Sequence, residues 1–339
     1  MRITSFFGKV FFGINVLFGL FLLLSCFVPY ISLEIVPFVA FFSLSIPILV
    51  LVNLLFVVFW GFRKKKQLFL SLFVLIISFF SLSSFFMFRF SEEAILDNDL
   101  SVMTYNVRSF NKNENIRDPN VFEEILNLIN KEDPDVICFQ EFDYKHRKDF
   151  KNYKYSYLEY IHNPGKVKLG VYSKYPIINE GLINFPKSPN NGSFVDIVFN
   201  TDTVRIYNLH LESLKVIPNP EVLAQEESTK LYKRLTSTFI KQQQQAEIIS
   251  EHKKTINYKT IICGDFNGTQ YSNVYRTIRG DMQDTFQEKG TGYGRTYNFT
   301  YYPVRIDFIL TDKNIEVLSH KNYNAKLSDH FPVMASLQF

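Results

Sequence analysis

The chain has 339 residues and a formal charge of +4, from 37 Lys and Arg against 33 Asp and Glu. That average conceals two solvents: the first ninety residues hold seven basic groups (Arg2, Lys9, Arg63, Lys64, Lys65, Lys66, Arg89) and one acid, Glu34, which leaves 30 basic and 32 acidic groups in the rest. A net charge of −2 on the polar two-thirds gives no support to a strongly cationic nucleic-acid-binding surface, and three cysteines are too few for a disulfide framework.

Three apolar stretches come first, at residues 6–28, 36–62 and 68–88, each close to the twenty or so residues that a helix needs to cross the hydrocarbon core. None has an ionised side chain in its middle, so the sequence predicts about three transmembrane helices and an anchor over residues 1–90. Arg2 and Lys9 ahead of the first stretch also suit a cleavable signal peptide. Two more apolar stretches follow, however, and no small-residue cleavage site stands out after Leu24, which favours retained spans. Pro37 and Pro47 leave room for a kinked or re-entrant second stretch. Lys and Arg beside spans are retained in the cytoplasm, so the cluster Arg63 to Lys66 predicts a cytoplasmic N-terminus, and three crossings put the rest of the chain outside, whereas two crossings would leave it facing inward.

Residues 91–100 (SEEAILDNDL) read as a polar linker, and residues 101–339 as one soluble domain. Short β-like runs (SVMTYNV, DVICFQE, LGVYS, FVDIVF, TVRIYNLHL, KTIICGDFN, RIDFIL, VMASLQF) alternate with helical stretches at 119–130 and 229–252. The second helix carries apolar Leu231, Leu235, Phe239, Ile248 and Ile249, with Gln242 to Gln245 forming part of one face. Strands arriving singly and in pairs among helices predict an α/β domain with mixed sheets. Cys26 falls in an apolar run, while Cys138 and Cys263 read as small buried thiols pointing inward, which argues against a zinc thiolate site.

Several strand runs end in polar residues that a packed core would not choose. These are Asn106 (VMTYNVRS), Glu141 (PDVICFQE), His210 (IYNLHLES), Asp265 and Asn267 (IICGDFN), Asp307 (VRIDFIL), and Asp329 with His330 (LSDHFPV). Each alone has a bland explanation as a cap, a solvated strand end or a structural histidine. Together they offer carboxylate and amide oxygens suited to a hard divalent cation, and two imidazoles for proton traffic.

In this order the runs resemble the endonuclease/exonuclease/phosphatase family, which includes pancreatic-type DNases, apurinic endonucleases, sphingomyelinases and inositol polyphosphate 5-phosphatases. GDFN, RIDF and SDHFPV carry the resemblance as a set, from about Leu100 to Phe339. It implies a four-layer α/β sandwich of two mixed β-sheets flanked by helices, and a metal-dependent phosphoesterase using Mg²⁺, Mn²⁺ or Ca²⁺, as one ion or two. By the resemblance, Glu141 is the principal metal ligand, Asn106 completes the polar floor of the metal site, and Asp329 binds a second ion or bridges through water. Asp265 orients or deprotonates the attacking water, and Asn267 contacts the phosphate. His330 binds a phosphoryl oxygen or acts as base, His210 acts as acid on the opposite side, and Asp307 holds the His210 imidazole in its tautomer. The substrate is left open among a lipid headgroup, a small phosphoester and extracytoplasmic DNA or RNA. A non-catalytic binding protein on the same fold is disfavoured, because every one of these positions holds a competent residue.

Weaker signals surround this set. Asp284 and Thr296-Tyr297 fall where the family has pocket-bordering segments, though a structural role is equally open. Arg108, Lys112 and Arg305 read equally as phosphate contacts or solvated cations. GVYSKYP resembles a family strand in compressed form and yields no catalytic residue, and the aromatic residues at 153–160 and 293–302 suit either a substrate rim or ordinary packing.

Overall fold

A computed structural model of the chain describes residues 2–82, 86–89, 99–112, 114, 116–158, 168–215, 227–299 and 302–339. It opens with three helices, α1 (Arg2–Ser25), α2 (Ala40–Phe62) and α3 (Leu68–Ser81). The first two are long and apolar enough to cross a membrane, and α2 continues through Pro47. The third differs from the expectation. At 14 residues it is about 21 Å long, short of the ~30 Å hydrocarbon core. The apolar run to residue 88 is not one helix, because Leu82 turns to extended backbone and Met87 pairs with Gly292 of the following domain. Two helices of spanning length therefore replace the three expected, and the chain reaches the domain before residue 90. Most of the 91–100 linker lies outside the described residues, and Leu100 is already the first, fully buried residue of a strand.

Few polar side chains lie inside this apolar bundle, and they bond to one another. Trp60 Nε1 donates to Asn15 Oδ1 (2.9 Å), Asn15 Nδ2 donates to Ser71 Oγ (2.6 Å), and Asn53 Nδ2 donates to the Phe18 carbonyl (3.3 Å). An amide left unpaired among aliphatic groups is costly, so these bonds tie α1, α2 and α3 in one register.

The remainder is the expected sandwich. One sheet runs β11-β12-β1-β2-β4-β3 and the other β5-β6-β7-β8-β10-β9. Their strands are β1 (Leu100–Asn106), β2 (Val136–Gln140), β3 (Tyr155–Leu158), β4 (Leu169–Ser173), β5 (Ile177–Asn184), β6 (Asn191–Phe199), β7 (Asp202–His210), β8 (Lys259–Asp265), β9 (Gln283–Asp284), β10 (Asp307–Thr311), β11 (Glu316–Asn322) and β12 (Val333–Gln338). Period-two alternation decides the layers. Val102, Val136 and Cys138 meet Ile206, Ile261 and Cys263 between the sheets, so both cysteines are free, buried thiols. The opposite faces, Met103, Ile137 and Phe139 on one side and Tyr207, Ile262 and Phe308 on the other, pack under helices. The outer helix of the first sheet is α4 (Val121–Glu132), buried through Val121, Ile125 and Ile129. The second sheet is covered by α5 (Ser228–Lys253) and α6 (Asn273–Arg279).

Strand direction then gathers the chemistry. β1 and β2 run parallel with Asn106 beside Gln140, and β7 and β8 run parallel with His210 beside Asp265. β10 is antiparallel to β8 and puts its first residue, Asp307, opposite Asp265. β12 is antiparallel to β1, so the residues just before its start reach the same edge. Asn208 locks the two sheets there, accepting from Gln140 Nε2 at 2.7 Å and donating to the Phe139 carbonyl at 2.9 Å.

Away from that edge, His320 of β11 is buried against the Phe286 ring with its Nδ1 2.8 Å from Thr285 Oγ1. Burial pushes its pKa down to about 3 from an ordinary 6.5. The unfolded chain therefore binds a proton that the folded chain refuses, and stability falls as pH drops from 6.5 towards 3. At pH 5 the loss from this site should be about 2 kcal/mol. Chemical denaturation of His320→Asn beside the unaltered chain, from pH 7 to 5, should show a flatter dependence for the variant; parallel curves would reject this account.

Candidate active site

Local backbone geometry aims the site residues. Gly264 has φ +134°, and a Cβ there would lie 2.0 Å from the Leu209 carbonyl oxygen, so β8 approaches β7 this closely only with glycine before Asp265. Glu141 and Asn267 both take left-handed φ values, 51° and 49°, turning the chain sharply as it leaves β2 and β8. From Arg108 to Asn111 four successive residues have φ between 44° and 61°, a left-handed turn just past Asn106.

The contacts converge on Asp265. Its Oδ1 accepts from the Asn267 backbone N–H at 2.8 Å, and its Oδ2 accepts from the side-chain amides of Asn267 and Asn106, each at 3.1 Å. Asn106 Nδ2 also reaches Glu141 Oε1 at 3.3 Å. His210 Nε2 lies 3.5 Å from Asp265 and 3.9 Å from Glu141, while its Nδ1 is buried without a partner. His330 Nε2 lies 3.6 Å from Asp265, and its Nδ1 faces both oxygens of Asp307 at 3.1 and 3.0 Å. Asp329 pairs with Arg108 Nη1 at 2.8 Å. Glu141, His210, Asp265, Asn267, Asp329 and His330 line one cavity of about 240 Å³, with Asn106 and Asp307 behind them.

Two expectations change here. Asp307 is the partner of His330 and not of His210, because β10 starts opposite Asp265 on the side where the SDH segment returns. Asn106, expected at the metal site, turns its amide nitrogen towards the carboxylates and donates to them in this arrangement, while its oxygen accepts from the Arg108 N–H at 3.1 Å.

Electrostatics follow from crowding. Burial first, then the neighbouring Asp307 charge, raises Asp265 to about 6 against the pull of both histidines. Burial likewise raises Glu141 and depresses His210, keeping the latter neutral. For His330 burial acts downward, but Asp307, Asp265 and Asp329 outweigh it and hold the imidazole up to about 10. Four carboxylates thus face two cations in contact with them, Arg108 and the His330 imidazolium. A surplus of buried negative charge suits a divalent cation, whose presence returns raised carboxylates to their ionised form. The donor set is oxygen-rich and hard, as Mg²⁺, Mn²⁺ or Ca²⁺ require. Asp265, Asp307 and His330 also form a group with ligand atoms within 4.8 Å of one another. Because Asp307 occupies the His330 Nδ1 and Asp265 already accepts three hydrogen bonds, Glu141 is the better candidate ligand.

Other flagged residues lie elsewhere. Arg305 is neither solvated nor at the pocket; it is buried and holds Asp284 through both oxygens at 2.9 and 2.8 Å. Lys112 faces Asp143 at 3.5 Å. Thr296 acts from behind, its Oγ1 accepting from the N–H groups of Ile306 and Asp307 at 3.0 Å each and fixing the start of β10. Tyr297 lines the cavity and meets the His330 ring edge-on at 5.0 Å. Of the aromatic stretches, residues 159–160 and 300–301 lie outside the described residues. Leu44, Ser213, Leu214 and Lys215 line the cavity without having been singled out in the sequence; for the last three the polar ESLK segment at 212–215, just past His210, was the available signal.

Comparison with known proteins agrees with this geometry. Residues 103–330 match the model of the endonuclease/exonuclease/phosphatase family, and residues 8–85 match a domain of unknown function (DUF8431). No curated protein matches the chain. Among solved structures, an endonuclease/exonuclease/phosphatase from Bacteroides vulgatus is 18% identical, with a TM-score of 0.56, covering 71% of this chain and 99% of its own. The mannosyl-6-phosphatase of Bacteroides thetaiotaomicron is 18% identical, with a TM-score of 0.54 over 71% of this chain and 100% of its own. D. rerio TDP2 complexed with single strand DNA product is 15% identical, with a TM-score of 0.55 over 72% of this chain and 100% of its own. At these identities the structures show a shared fold. The family model extends over most of the chain and contains all eight strand-end residues, and on that ground the chain belongs to the endonuclease/exonuclease/phosphatase family, whose members are metal-dependent phosphoester hydrolases.

Proposed function

We propose that this chain is a membrane-anchored, divalent-metal-dependent phosphoesterase whose catalytic domain lies outside the cytoplasm. The observation that carries the chemistry is the convergence of Glu141, Asp265, His210 and an Asp307-clamped His330 on one cavity. A divalent cation bound beside Glu141 would supply charge neutralisation for the phosphoryl oxygens. The protein's own groups account for the rest. Asp265, fixed by both N–H groups of Asn267, is a buried carboxylate placed to orient the attacking water and take its proton. The His330 imidazolium, held charged by Asp307, presents Nε2–H to a phosphoryl oxygen, a role its charge favours over that of base. Neutral His210 offers a hydrogen bond from the other side of Asp265.

Anchoring rests on the exposure of α1 and α2. Only 28% of each apolar window is buried, whereas the core helix of a water-soluble protein would be mostly covered. Orientation rests on charge and packing. Arg63 to Lys66 follow the end of α2 that lies away from the α1–α2 connection. That connection packs on the catalytic domain through Val28, Leu33 and Val39. Because α3 returns along α1, bringing Ser78 Oγ within 3.6 Å of Cys26 Sγ, the chain enters the domain on the side opposite the basic cluster even though α3 is short.

Full-length protein in detergent should release p-nitrophenol from bis-p-nitrophenyl phosphate with Mg²⁺ or Mn²⁺, lose this on chelation, and regain it when the ion is restored. Glu141→Gln, Asp265→Asn and His330→Ala should each reduce the rate on the order of 10²-fold or more in protein that is still folded by circular dichroism at the assay temperature. Undiminished turnover by His330→Ala would reject the site. In histidine-labelled protein, Asp307→Asn should lower the imidazole pKa of His330 and leave His210 in place by NMR titration; movement of His210 alone would restore the other pairing. A C-terminal alkaline phosphatase fusion should be active and a C-terminal green fluorescent protein fusion dark; the reverse pair would place the domain inside.

A further inference from the structure

The wall of the catalytic cavity facing the anchor is made by the anchor itself. Leu44, one turn into α2, lines the same cavity as Glu141, Asp265 and His330, and its carbonyl accepts from Tyr302 Oη at 3.1 Å. Tyr302 and Phe299, whose rings meet edge-on at 5.0 Å, complete an apolar side with Leu214 and Val304. The cavity is therefore polar at its metal-ligating end and apolar where it meets the membrane helix.

This contact is braced. The connection between α1 and α2 is bonded to the domain by Asn273 Nδ2 to the Pro29 carbonyl (3.1 Å), Gln243 Nε2 to Ser32 Oγ (3.2 Å), the Leu33 N–H to Gln243 Oε1, and Gln244 Nε2 to Glu34 Oε1 (2.9 Å). Arg276 lies over the Tyr30 ring at 4.3 Å. One turn of α5 serves both sides, since Gln242 holds the Glu212 and Asn267 carbonyls at 2.7 and 3.1 Å.

Depth can be read along α2. Counting about 30 Å of hydrocarbon back from Phe62, beside the basic cluster, at 1.5 Å per residue reaches about residue 42. Leu44 then sits at the boundary between acyl chains and headgroups. Tyr30 and Phe38 are 61% and 49% exposed near that level, as in the aromatic belts of membrane proteins. Among the described residues lining the cavity, Lys215 is the one Lys or Arg, a poor match for a nucleic-acid backbone, which calls for several cationic contacts.

We infer that the cavity takes its phosphoester from the bilayer: the substrate is a membrane lipid whose headgroup phosphate enters at Glu141, Asp265 and His330 while the first apolar part of the lipid lies against Leu44, Tyr302 and Phe299. This rests on the phosphoesterase reading above and names its substrate class.

The test uses full-length protein in phosphatidylcholine vesicles with Mg²⁺. The vesicles contain in turn phosphatidic acid, phosphatidylglycerol, phosphatidylethanolamine, a phosphoinositide or sphingomyelin. Each lipid is compared with its water-soluble short-chain counterpart, with bis-p-nitrophenyl phosphate, and with plasmid DNA and RNA. At least one bilayer lipid should be hydrolysed on the order of tenfold faster than its soluble counterpart, the gain from burying about two methylenes. Leu44→Glu should reduce hydrolysis of that lipid at least about tenfold more than hydrolysis of the soluble diester, and Leu44→Met should restore the preference. If the soluble diester is cleaved but no bilayer lipid is preferred, if nucleic acid is preferred, or if Leu44→Glu affects all substrates equally, the lipid inference fails and the phosphoesterase reading stands. If even the soluble diester is untouched with metal present, both fall.

Discussion

Like charges crowded in a buried cleft repel, and the catalytic end of this domain is organised around that repulsion. Asp265 has the Asp307 and Glu141 carboxylates as neighbours, in a region where burial already penalises ionisation. Such a cluster survives folding when each oxygen has a donor. The donors are supplied by local geometry: the left-handed turn at Asn267 folds two N–H groups back onto Asp265, the Asn106 amide bridges Asp265 and Glu141 across the two sheets, and the His330 imidazolium sits between Asp265 and Asp307. Glycine at 264 belongs to the same device, because it lets β8 close on β7 and sets the height of Asp265. Removing any one partner leaves a buried charge uncompensated, which costs more than the lost bond itself.

The glutamine run shows how far this organisation extends. Gln242, Gln243 and Gln245 are buried, which is unusual for long amides unless their donors and acceptors are used. Gln245 accepts from the Glu212 N–H at 2.8 Å, and Gln242 holds the carbonyl groups of Glu212 and Asn267. Gln243 and Gln244 hold Ser32, Leu33 and Glu34. Successive residues of one helix therefore grip the turn that carries Asn267 and the hairpin that joins the two long apolar helices. The pair of apolar helices is mounted on the active-site scaffold through the same polar face.

How much of this was legible follows from the range of the interactions. The strand-end residues were readable because a polar residue closing an apolar run violates alternation, and because parallel β1/β2 and β7/β8 pairs gather such ends at one edge. Partner choice was not readable. Whether Asp307 faces His210 or His330 depends on where the chain re-enters before β12, a contact across 23 residues that no spacing rule fixes. Arg305 reads in sequence as a phosphate contact or a solvated cation and Asp284 as a pocket-bordering or structural residue; the two are a buried pair, since β9 and β10 adjoin only in the folded sheet. The end of the third apolar run was hidden for a related reason: Phe86 and Phe88 suit a membrane helix by composition, yet they follow a helix that has already ended at Ser81, and Phe86 packs on Tyr293. The glutamine run resembled an ordinary helix face because the partners of Gln243 and Gln244 in the hairpin lie more than 200 residues earlier in the chain.

The mount also bears on what a tether does. A flexible tether raises local concentration but leaves a catalytic mouth free to turn in any direction. Here the hairpin shares a hydrophobic core with the domain, through Val28, Leu33, Val39 and Ala40 against Leu211, Phe239 and Val274, and four hydrogen bonds add direction to that burial. Burying side chains of this size contributes on the order of 1.5 to 3 kcal/mol each relative to exposure, ample to hold one orientation against the loss of rotational freedom. Leu44 then enters the cavity wall as a consequence of that orientation, because the helix carrying it begins where the docked hairpin ends. A substrate that must reach His330 past the first turns of this apolar helix is selected by its approach as well as by its phosphate.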